Sequence, residues 1–369
     1  MNILLLGEYS NVHWTLASGL KSLGHSVVVA SNGDFWKKYP CDILLERKSN
    51  RITDSIAYLC KVLSALRKMR GFDVVQIINP MFLELKAKHI HPIYNYIKRH
   101  NKKVYLAAYG MDYYYVKGCL GKKLFRYSEL ITPTGELRSI AQNIDAIKDW
   151  TGNSDKQRLN EHIAQTCNGI IAGLWEYYQC YKEDFNNKLG YIPFPVEPIP
   201  TDSLPERYYQ DIDKVRFFIG IQSSRSKFKG TDILLDILTE LEKDFPDKMH
   251  VIRAENVPFA EYKKLMLDSD ILVDQLYSPS PNMNSLLAMS QGLAVAGGGW
   301  EEPYTLLGEE KLRPVIDLPC TPQEIRAILL EYINNPSRIR EKKKESVEFI
   351  GKYHTPLIVA GRWIDFINR

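Results

Sequence analysis

A short basic segment between an apolar strand pattern and an apolar helix pattern is the part of the sequence best suited to bind an anion. Val215–Ile221 has the length and composition of a buried strand, and Arg225 and Lys229 follow it closely. Beyond Gly230, apolar residues recur at helical spacing, with Thr231 as a candidate N-cap residue. Cations beside a helix N-terminus, at the carboxyl end of a parallel strand, are suited to hold a diphosphate. The alternative is a solvated basic loop.

Polar residues elsewhere in the same half of the chain could supply further contacts to a bound anion or sugar. Asn284 and Ser285 stand at the start of a predicted helix, where backbone amides point outward, and simple N-capping is their alternative role. Glu255 follows the next predicted strand and is otherwise a solvated loop acid. A run of three glycines permits close approach of the backbone to a ligand and precedes two more carboxylates, Glu301 and Glu302.

The first half of the chain offers its own candidates at the carboxyl ends of predicted strands. Gly7 follows the strand Ile3–Leu6 and permits close backbone approach. Glu8 and His13 in the same loop could act as acid or base, or could orient a hydroxyl group. Asp112 follows another predicted strand and supplies a carboxylate there. Packing or capping is the alternative role of His13, and capping a helix or turn is that of Asp112.

Length and composition are typical of a globular protein with two domains of ordinary size. The chain has 369 residues, and 45% of them are hydrophobic. No apolar run approaches the roughly 20 residues needed to span a bilayer. The N-terminal MNILLLGEYS lacks the basic region and cleavage site of a signal peptide, so a cytoplasmic location is predicted. The six cysteines are scattered without CxxC pairing and no paired-aspartate motif is evident, so neither a disulfide framework nor a metal site is expected.

Charge is distributed unevenly along the chain. Residues 1–198 contain 26 Lys and Arg against 18 Asp and Glu, whereas the remainder contains 22 against 26. The basic first half predicts a peripheral contact with an anionic membrane or a phosphate-bearing acceptor, with ordinary surface charge as the alternative. An aromatic and basic stretch could lie against such an interface, or its tyrosines could belong to the core. It comprises Tyr113, Tyr114, Tyr115, Lys117, Lys122, Lys123 and Arg126. Nucleic acid is not an expected partner, because no reader motif is present.

Strand and helix patterns alternate along the chain, which predicts an α/β protein with parallel sheets covered on both faces. The proline-rich segment Gly190–Pro205 interrupts the alternation and is typical of a linker. We therefore expect two tandem Rossmann-like, doubly wound domains that face a central cleft. The first would cover residues 1–195 and the second residues 196–354, and a helix pattern at 355–369 predicts a return to the first domain.

Several of these segments together resemble glycosyltransferases of the GT-B fold. The resemblance is to the bacterial group, family 4-like or "group 1", that uses sugar nucleotides and retains anomeric configuration, and it covers nearly the whole chain. It is carried by the opening segment 1–31 with its LGHSV phrase, the linker IPFPVEP, the basic SSRSKFKG and the segment SDILVDQLYSPSPNMNSLLAMSQGLAVAGGG. The resemblance implies that the first domain binds the acceptor and the second binds the nucleotide sugar.

The resemblance also implies roles for individual residues. In the family, basic residues at the positions of Arg225 and Lys229 neutralise the donor diphosphate. A pair of glutamates that contact the donor sugar and the ribose would fall on Pro279 and Leu287, and neither residue is acidic. Because leucine cannot accept a hydrogen bond, three explanations stay open. Glu255, Glu301 or Glu302 supplies the contact from another loop, the donor is unusual, or catalysis has been lost.

The predicted function is transfer of a sugar from a UDP- or GDP-sugar to a saccharide or lipid-linked acceptor in bacterial capsule, lipopolysaccharide or other surface-glycan synthesis. Fixed cations and helix amides can stabilise the departing diphosphate, so neither a metal ion nor a tightly bound cofactor is expected. If the basic half contacts the membrane, the protein would work at its inner face. Two other functions stay open: a catalytically silent GT-B protein that binds a glycan or a partner, and a sugar-nucleotide epimerase.

Overall fold

The computed structural model describes residues 1–121 and 124–369, which form two compact units. The first unit consists of Met1–Leu124, Asp145–Pro195 and Thr355–Arg369, and the second of Phe125–Ile144 and Val196–His354. The sequence boundary at residue 195 is therefore one of several points at which the chain passes between units. Lys122 and Lys123 of the aromatic and basic stretch lie outside the described residues.

A parallel sheet forms the centre of the first unit. Its strands are β1 (Asn2–Leu6), β2 (Ser26–Ser31), β3 (Ile43–Leu44), β4 (Val74–Ile77), β5 (Lys103–Ala108), β6 (Gly169–Ala172) and β7 (Leu189–Tyr191). In the described part of the chain they lie in the order β3-β2-β1-β4-β5-β6-β7, and each neighbouring pair is parallel. The order reverses between β1 and β4, so the loops that follow these two strands diverge and leave a crevice at the carboxyl edge.

Helices connect these strands, as the alternating sequence pattern predicts. They are α1 (Val12–Ser22), α2 (Ile52–Ala65), α3 (Ala87–His100), α4 (Tyr113–Leu120), α5 (Ala141–Trp150), α6 (Asp155–Thr166) and α7 (Trp175–Phe185). Short 3₁₀ turns at Phe35–Lys37, Leu66–Lys68 and Asn186–Lys188 complete the connections. The junction between the units falls inside α5.

The second unit is a smaller doubly wound domain. Its strands are β8 (Val215–Ile221), β9 (Met249–Glu255), β10 (Ile271–Val273), β11 (Ala294–Gly297) and β12 (Val315–Asp317), in the parallel order β12-β11-β10-β8-β9. Its helices are α8 (Glu206–Tyr209), α9 (Ser226–Lys229), α10 (Thr231–Asp244), α11 (Phe259–Leu267), α12 (Met283–Ser290), α13 (Glu301–Leu307), α14 (Pro322–Asn334) and α15 (Pro336–Tyr353). The order reverses between β8 and β10, which marks the expected ligand position.

The last helix, α16 (Pro356–Ile367), belongs to the first unit and packs on α1. The contact depends on Gly19, because a Cβ at this position would lie 2.0 Å from the carbonyl oxygen of Pro356. Thr355 caps the helix by accepting a hydrogen bond from the amide of Ile358. The C-terminal helix α16 thereby completes the hydrophobic core of the first unit, although most of the sequence separates it from α1.

Several local features differ from the sequence predictions. The proline-rich segment is not wholly a linker, because Gly190 and Tyr191 belong to the edge strand β7. Thr231 is the first residue of α10 and not its cap, since Gly230 precedes it with a left-handed φ of 75°. Tyr114 and Tyr115 are buried, which agrees with the core alternative for the aromatic stretch.

Candidate functional site

The predicted cations lie in the loop that follows β8, where the strand order of the second sheet reverses. Arg225 ends a short 3₁₀ turn and is exposed, and its guanidinium lies 5.2 Å from the ring of Phe228. Lys229 ends α9 and is half-buried. Both residues thus stand at the carboxyl end of a parallel strand at a topological switch point, the position at which open α/β sheets bind ligands.

A residue that sequence reasoning missed, Arg138, holds this loop in place. Its guanidinium donates to the carbonyl oxygens of Lys227 at 2.6 Å and Phe228 at 3.1 Å. The same group lies 3.4 Å from the ring centroid of Tyr277. A planar guanidinium can bind carbonyls at its edge and an aromatic ring on its face at the same time. The turn that carries Arg225 is therefore braced by a side chain from the segment Phe125–Ile144.

Glu255 is the carboxylate that the structure brings to the cationic loop. It is the last residue of β9, which pairs with β8, and its Oε1 accepts a 2.5 Å hydrogen bond from the Ser223 hydroxyl. Ser223 begins the turn that ends at Arg225. The pairing of β8 with β9 thus places the Glu255 carboxylate beside the turn that carries Arg225.

The first turn of α12 is fixed by a buried aspartate. Asp274, which follows β10, accepts hydrogen bonds from the Ser285 hydroxyl at 2.5 Å and the Asn284 amide at 3.2 Å. The Tyr262 hydroxyl donates to Asn284 Oδ1 at 3.0 Å. The N-cap is Asn282, whose Oδ1 accepts from the Asn284 backbone amide at 3.0 Å. Asn284 and Ser285 are therefore second and third residues of the helix, and their side chains position it.

Glu301 and Glu302 are held by arginines of the second unit. Glu301 accepts two hydrogen bonds from the guanidinium of Arg313, one of them from Nε at 2.7 Å, and this contact lowers the pKa of the carboxyl. Glu302 pairs with Arg126 at 2.5 Å, and Arg126 lies 4.5 Å from the ring of Trp300. These two carboxylates thus have cationic partners outside the loop that carries Arg225.

Pro279 and Leu287, to which the sequence resemblance assigns the family's two glutamates, lie in different local settings. The loop of Pro279 is in close backbone contact with the glycine run, since a Cβ on Gly298 would lie 1.6 Å from the carbonyl oxygen of Ser278. The amide of Trp300 donates to the Pro279 carbonyl at 3.1 Å. Leu287 is half-buried on α12. Gly298 therefore serves a tight backbone contact, which a larger residue would prevent.

A cavity of about 100 Å³ opens at the carboxyl ends of β1, β2 and β4 in the first unit. Its lining combines the polar residues Glu8, Tyr58 and Glu84 with the apolar residues Ile78 and Phe82. The Tyr58 hydroxyl accepts a hydrogen bond from the Glu84 amide at 3.1 Å. A mixture of acceptors and apolar walls is typical of sites for polar organic ligands.

Glu8 lies at the N-terminus of α1 and borders this cavity. Its two carboxyl oxygens accept hydrogen bonds from the backbone amides of His13 at 3.2 Å and Trp14 at 2.9 Å. Burial raises the pKa of Glu8 to about 8 in spite of these bonds. Gly7 precedes it with a φ of 89°, and a Cβ there would lie 2.3 Å from a methyl group of Ile78. The backbone turn at Gly7 therefore excludes other residues.

His13 is fully buried in a chain of hydrogen bonds. Its Nδ1 lies 2.7 Å from the carbonyl oxygen of Gly7, and its Nε2 lies 2.9 Å from the amide nitrogen of Gln76. The indole N–H of Trp363 donates to Gln76 Oε1 at 2.6 Å. Because indole can only donate, the chain assigns the Gln76 amide as donor and His13 Nδ1 as the protonated nitrogen. Burial lowers the pKa of His13 to about 3. These contacts correspond to the packing role that the sequence left open.

Asp112 is the N-cap of α4. Its Oδ1 accepts from the amide of Tyr115 at 2.9 Å, and its Oδ2 accepts from the hydroxyl of Tyr181 at 2.7 Å. Burial raises the pKa of the carboxyl to about 6. These contacts correspond to the capping alternative, and they connect α4 to α7 in the core of the first unit.

Across residues 1–121 and 124–369, no group of three or more His, Cys, Asp or Glu side chains has the arrangement needed to hold a metal ion. In the same residues, no helix combines the length and apolar character required to cross a bilayer.

Solved structures with the same architecture are found among proteins of low sequence identity. The alignment with sucrose-phosphate synthase from Thermosynechococcus elongatus covers 100% of this chain and 98% of the synthase chain, with a TM-score of 0.63 and 10% sequence identity. The alignment with Anabaena HepE, solved in complex with UDP and glucose, covers 100% of this chain and 99% of the HepE chain, with a TM-score of 0.61 and 11% sequence identity. WaaG, a glycosyltransferase involved in lipopolysaccharide biosynthesis, matches 98% of both chains, with a TM-score of 0.52 and 14% identity.

No protein-family model matches the sequence, and no curated protein matches it significantly. The similarity therefore rests on the arrangement of the strands and helices over the full length of the chain. The two parallel sheets agree with the α/β class predicted from the sequence. The chain has the fold of the GT-B glycosyltransferases.

Proposed function

We propose that this protein is a glycosyltransferase that moves a sugar from a UDP- or GDP-sugar to a saccharide or lipid-linked acceptor. The observation that carries the proposal is the position of Arg225 and Lys229 at the carboxyl end of β8. This loop lies at the switch point of a fold that is shared with a protein solved with UDP and glucose. Residues 196–354 would bind the donor, and residues 1–195 the acceptor.

The donor diphosphate would be stabilised by fixed positive groups. Loss of a nucleoside diphosphate places negative charge on the leaving group, and preorganised cations lower the energy of that transition state. Arg225 and Lys229 supply two cations, and the first turn of α12 supplies backbone amides. The reaction would need no metal ion. We assign the ribose contact to Glu255, since it is bonded to the cationic loop, and we expect the anomeric configuration to be retained as in the family that the sequence resembles.

The acceptor would bind in the cavity of the first unit. Glu8 keeps its proton at neutral pH if its pKa is about 8, so it could donate a hydrogen bond to a sugar oxygen. Glu84 and Tyr58 also line this cavity and offer further polar groups. A role in bacterial surface-glycan synthesis is supported by the structural similarity to WaaG, a protein of lipopolysaccharide biosynthesis.

A donor screen tests the proposal directly. A ligand bound only by the native state raises thermal stability by mass action. We expect UDP or GDP, and a UDP-sugar or GDP-sugar, to raise the melting temperature of the protein equally with and without EDTA. Radiolabelled sugar should then pass from that donor to an oligosaccharide or lipid-extract acceptor. Failure of every nucleotide and nucleotide sugar to bind would contradict the proposal.

A catalytically silent GT-B protein is the second candidate, and the residues Pro279 and Leu287 favour it. Such a protein would bind oligosaccharides or a protein partner and would show no heat of binding with any nucleotide sugar in calorimetry. An epimerase is distinguished from both, because incubation with the donor alone would yield a second nucleotide sugar.

A further inference from the structure

The helix α2 presents an apolar row to solvent. Ile52, Ile56 and Leu63 are 79%, 59% and 51% exposed, respectively. With the half-buried Leu59 they recur at spacings of four, three and four residues, which places them on one face of an α-helix.

This row is separate from the face that packs on the first core. Tyr58, Val62 and Ala65 are buried, and they recur at spacings of four and three residues on another side of the same helix. A helix that only covered a core would be polar on its remaining surface. Because α2 is apolar on two faces, its exposed face indicates a binding surface.

Basic residues lie at both ends of the exposed row. Residues 47–70 contain seven Lys and Arg against a single Asp. The exposed cations are Lys48, Arg51, Lys61, Arg67, Lys68 and Arg70. Five of these cations lie at or beyond the two ends of the helix. Lys61 lies within α2 on the side opposite the row, since it is only two residues from Leu63. An exposed apolar row with Lys and Arg at both ends fits a helix that lies in the interface of an anionic bilayer.

We propose that α2 docks the protein on an anionic lipid surface, with the Ile52, Ile56 and Leu63 side chains inserted among the acyl chains and the cations at the two ends of the helix against lipid headgroups. The helix has 14 residues. In this arrangement its axis would run parallel to the lipid surface. The inference does not depend on sugar transfer. It differs from the sequence prediction, which placed the contact at the Tyr113–Arg126 stretch.

Charge distinguishes this partner from the other occupants of an apolar face. A second copy of the chain would bring the same set of cations against itself, and like charges repel. Nucleic acid would bind the cations but would leave the isoleucine and leucine side chains in water. A lipid surface that carries negative headgroups satisfies both the charge and the apolar row.

The experiment is co-sedimentation of the full chain with vesicles of phosphatidylcholine alone or with added phosphatidylglycerol. We expect binding to the anionic vesicles, weakened by added NaCl because salt screens the headgroup attraction. The double variant Ile56→Glu/Leu63→Glu should bind the anionic vesicles at least about tenfold more weakly. Leu357→Glu is the matched control, because Leu357 is 53% exposed on α16, outside the row, and this variant should bind like the original chain.

Three results would overturn the inference. The first is an original chain that fails to sediment with anionic vesicles. The second is equal binding by the double variant and Leu357→Glu, with unchanged circular dichroism in both. The third is a dimer in sedimentation velocity that the double variant dissociates, since that would identify a second copy as the occupant. Ile52→Ser provides a milder change should the double variant fold poorly, and it should still weaken vesicle binding.

Discussion

The guanidinium of Arg138 is stacked on Tyr277 at 3.4 Å while its N–H groups bind the backbone of α9. Tyr277 in turn packs beside Gly230, where a Cβ would lie 2.7 Å from its ring. The position of the loop that carries Arg225 therefore depends on a side chain almost ninety residues away in sequence.

Replacement of Arg138 by alanine should loosen this loop without unfolding the second unit. We expect faster amide hydrogen exchange across residues 222–230 and about a tenfold rise in the Kd for the nucleoside diphosphate, because the cations lose their fixed position. Arg138→Lys should restore part of the protection, since lysine keeps the charge but not the planar stack. Hydrogen-exchange mass spectrometry and calorimetry measure the two effects.

Arg326→Ala is a suitable control for this change, because Arg326 pairs with Asp244 elsewhere in the second unit. Exchange in residues 222–230 should be unaffected in this variant. Unchanged exchange in Arg138→Ala would show that Arg138 does not brace the loop, whatever the protein binds.

The two cations of the loop should dominate turnover. Arg225→Ala or Lys229→Ala is expected to lower the transfer rate on the order of 100-fold, because each removes a charge that stabilises the leaving diphosphate. The neighbouring Lys227→Ala should have a much smaller effect, as Lys227 contributes its carbonyl oxygen to the Arg138 contact and its side chain is exposed. Product formation at saturating donor is the measurement, and full activity in both single variants would exclude the assigned role.

The three candidate glutamates should differ in their effect on donor binding. Glu255→Gln should weaken UDP or GDP binding by about tenfold, as expected for loss of a hydrogen bond to a charged group. Glu301→Gln and Glu302→Gln should change the Kd less than Glu255→Gln does, since their carboxylates are engaged by Arg313 and Arg126. A larger effect at Glu301 or Glu302 in calorimetry would transfer the assignment to that residue.

The hydrogen bond between Trp363 and Gln76 should contribute measurably to the stability of the first unit. Trp363→Phe leaves the buried Gln76 Oε1 without its donor, which should cost about 1 to 3 kcal/mol of unfolding free energy. Urea denaturation measures the loss. Trp14→Phe, at a half-buried position, should cost less, and an equal loss in both variants would argue against a specific role of the hydrogen bond.

The buried Glu8 should make stability fall as the pH rises through neutrality. Its pKa is raised from 4.5 to about 8 in the native state. Between these values the native protein holds a proton that the unfolded chain has released, so alkaline conditions favour unfolding. From pH 5 to pH 8 the original protein should therefore lose stability relative to Glu8→Gln, whose side chain does not ionise.

Thermal unfolding at both pH values checks this dependence on Glu8. Glu46→Gln serves as the control, because Glu46 is exposed. A difference between Glu8→Gln and the original protein that does not vary with pH would show that Glu8 is ionised in the native state.

The strands that carry the candidate sites could be predicted from local sequence patterns. The predicted strands Ile3–Leu6 and Val215–Ile221 agree with β1 and β8 to within one residue. These strands are continuous apolar runs because both faces of a parallel sheet are buried. The two-residue β3 and the edge strand β7 were missed, since a short edge strand needs only one partner and carries little apolar signal.

The roles of individual polar residues could not be predicted in the same way. Glu255, Glu301 and Glu302 look alike in the sequence, and their different partners, Ser223, Arg313 and Arg126, come from other segments. Arg138 gave no signal, because it lies between predicted elements and acts through contacts with the backbone of a remote loop.

Local sequence patterns were sufficient to predict the alternation of strands and helices, the parallel sheets and the placement of cations after β8. These follow from periodicity and from residue order, which are local properties of the chain. The hydrogen bond between His13 and Gln76 and the second, exposed apolar face of α2 became evident only from the packing of distant segments. Burial and hydrogen-bond partners depend on which distant segments meet, and free energies of desolvation and pairing arise only at those contacts.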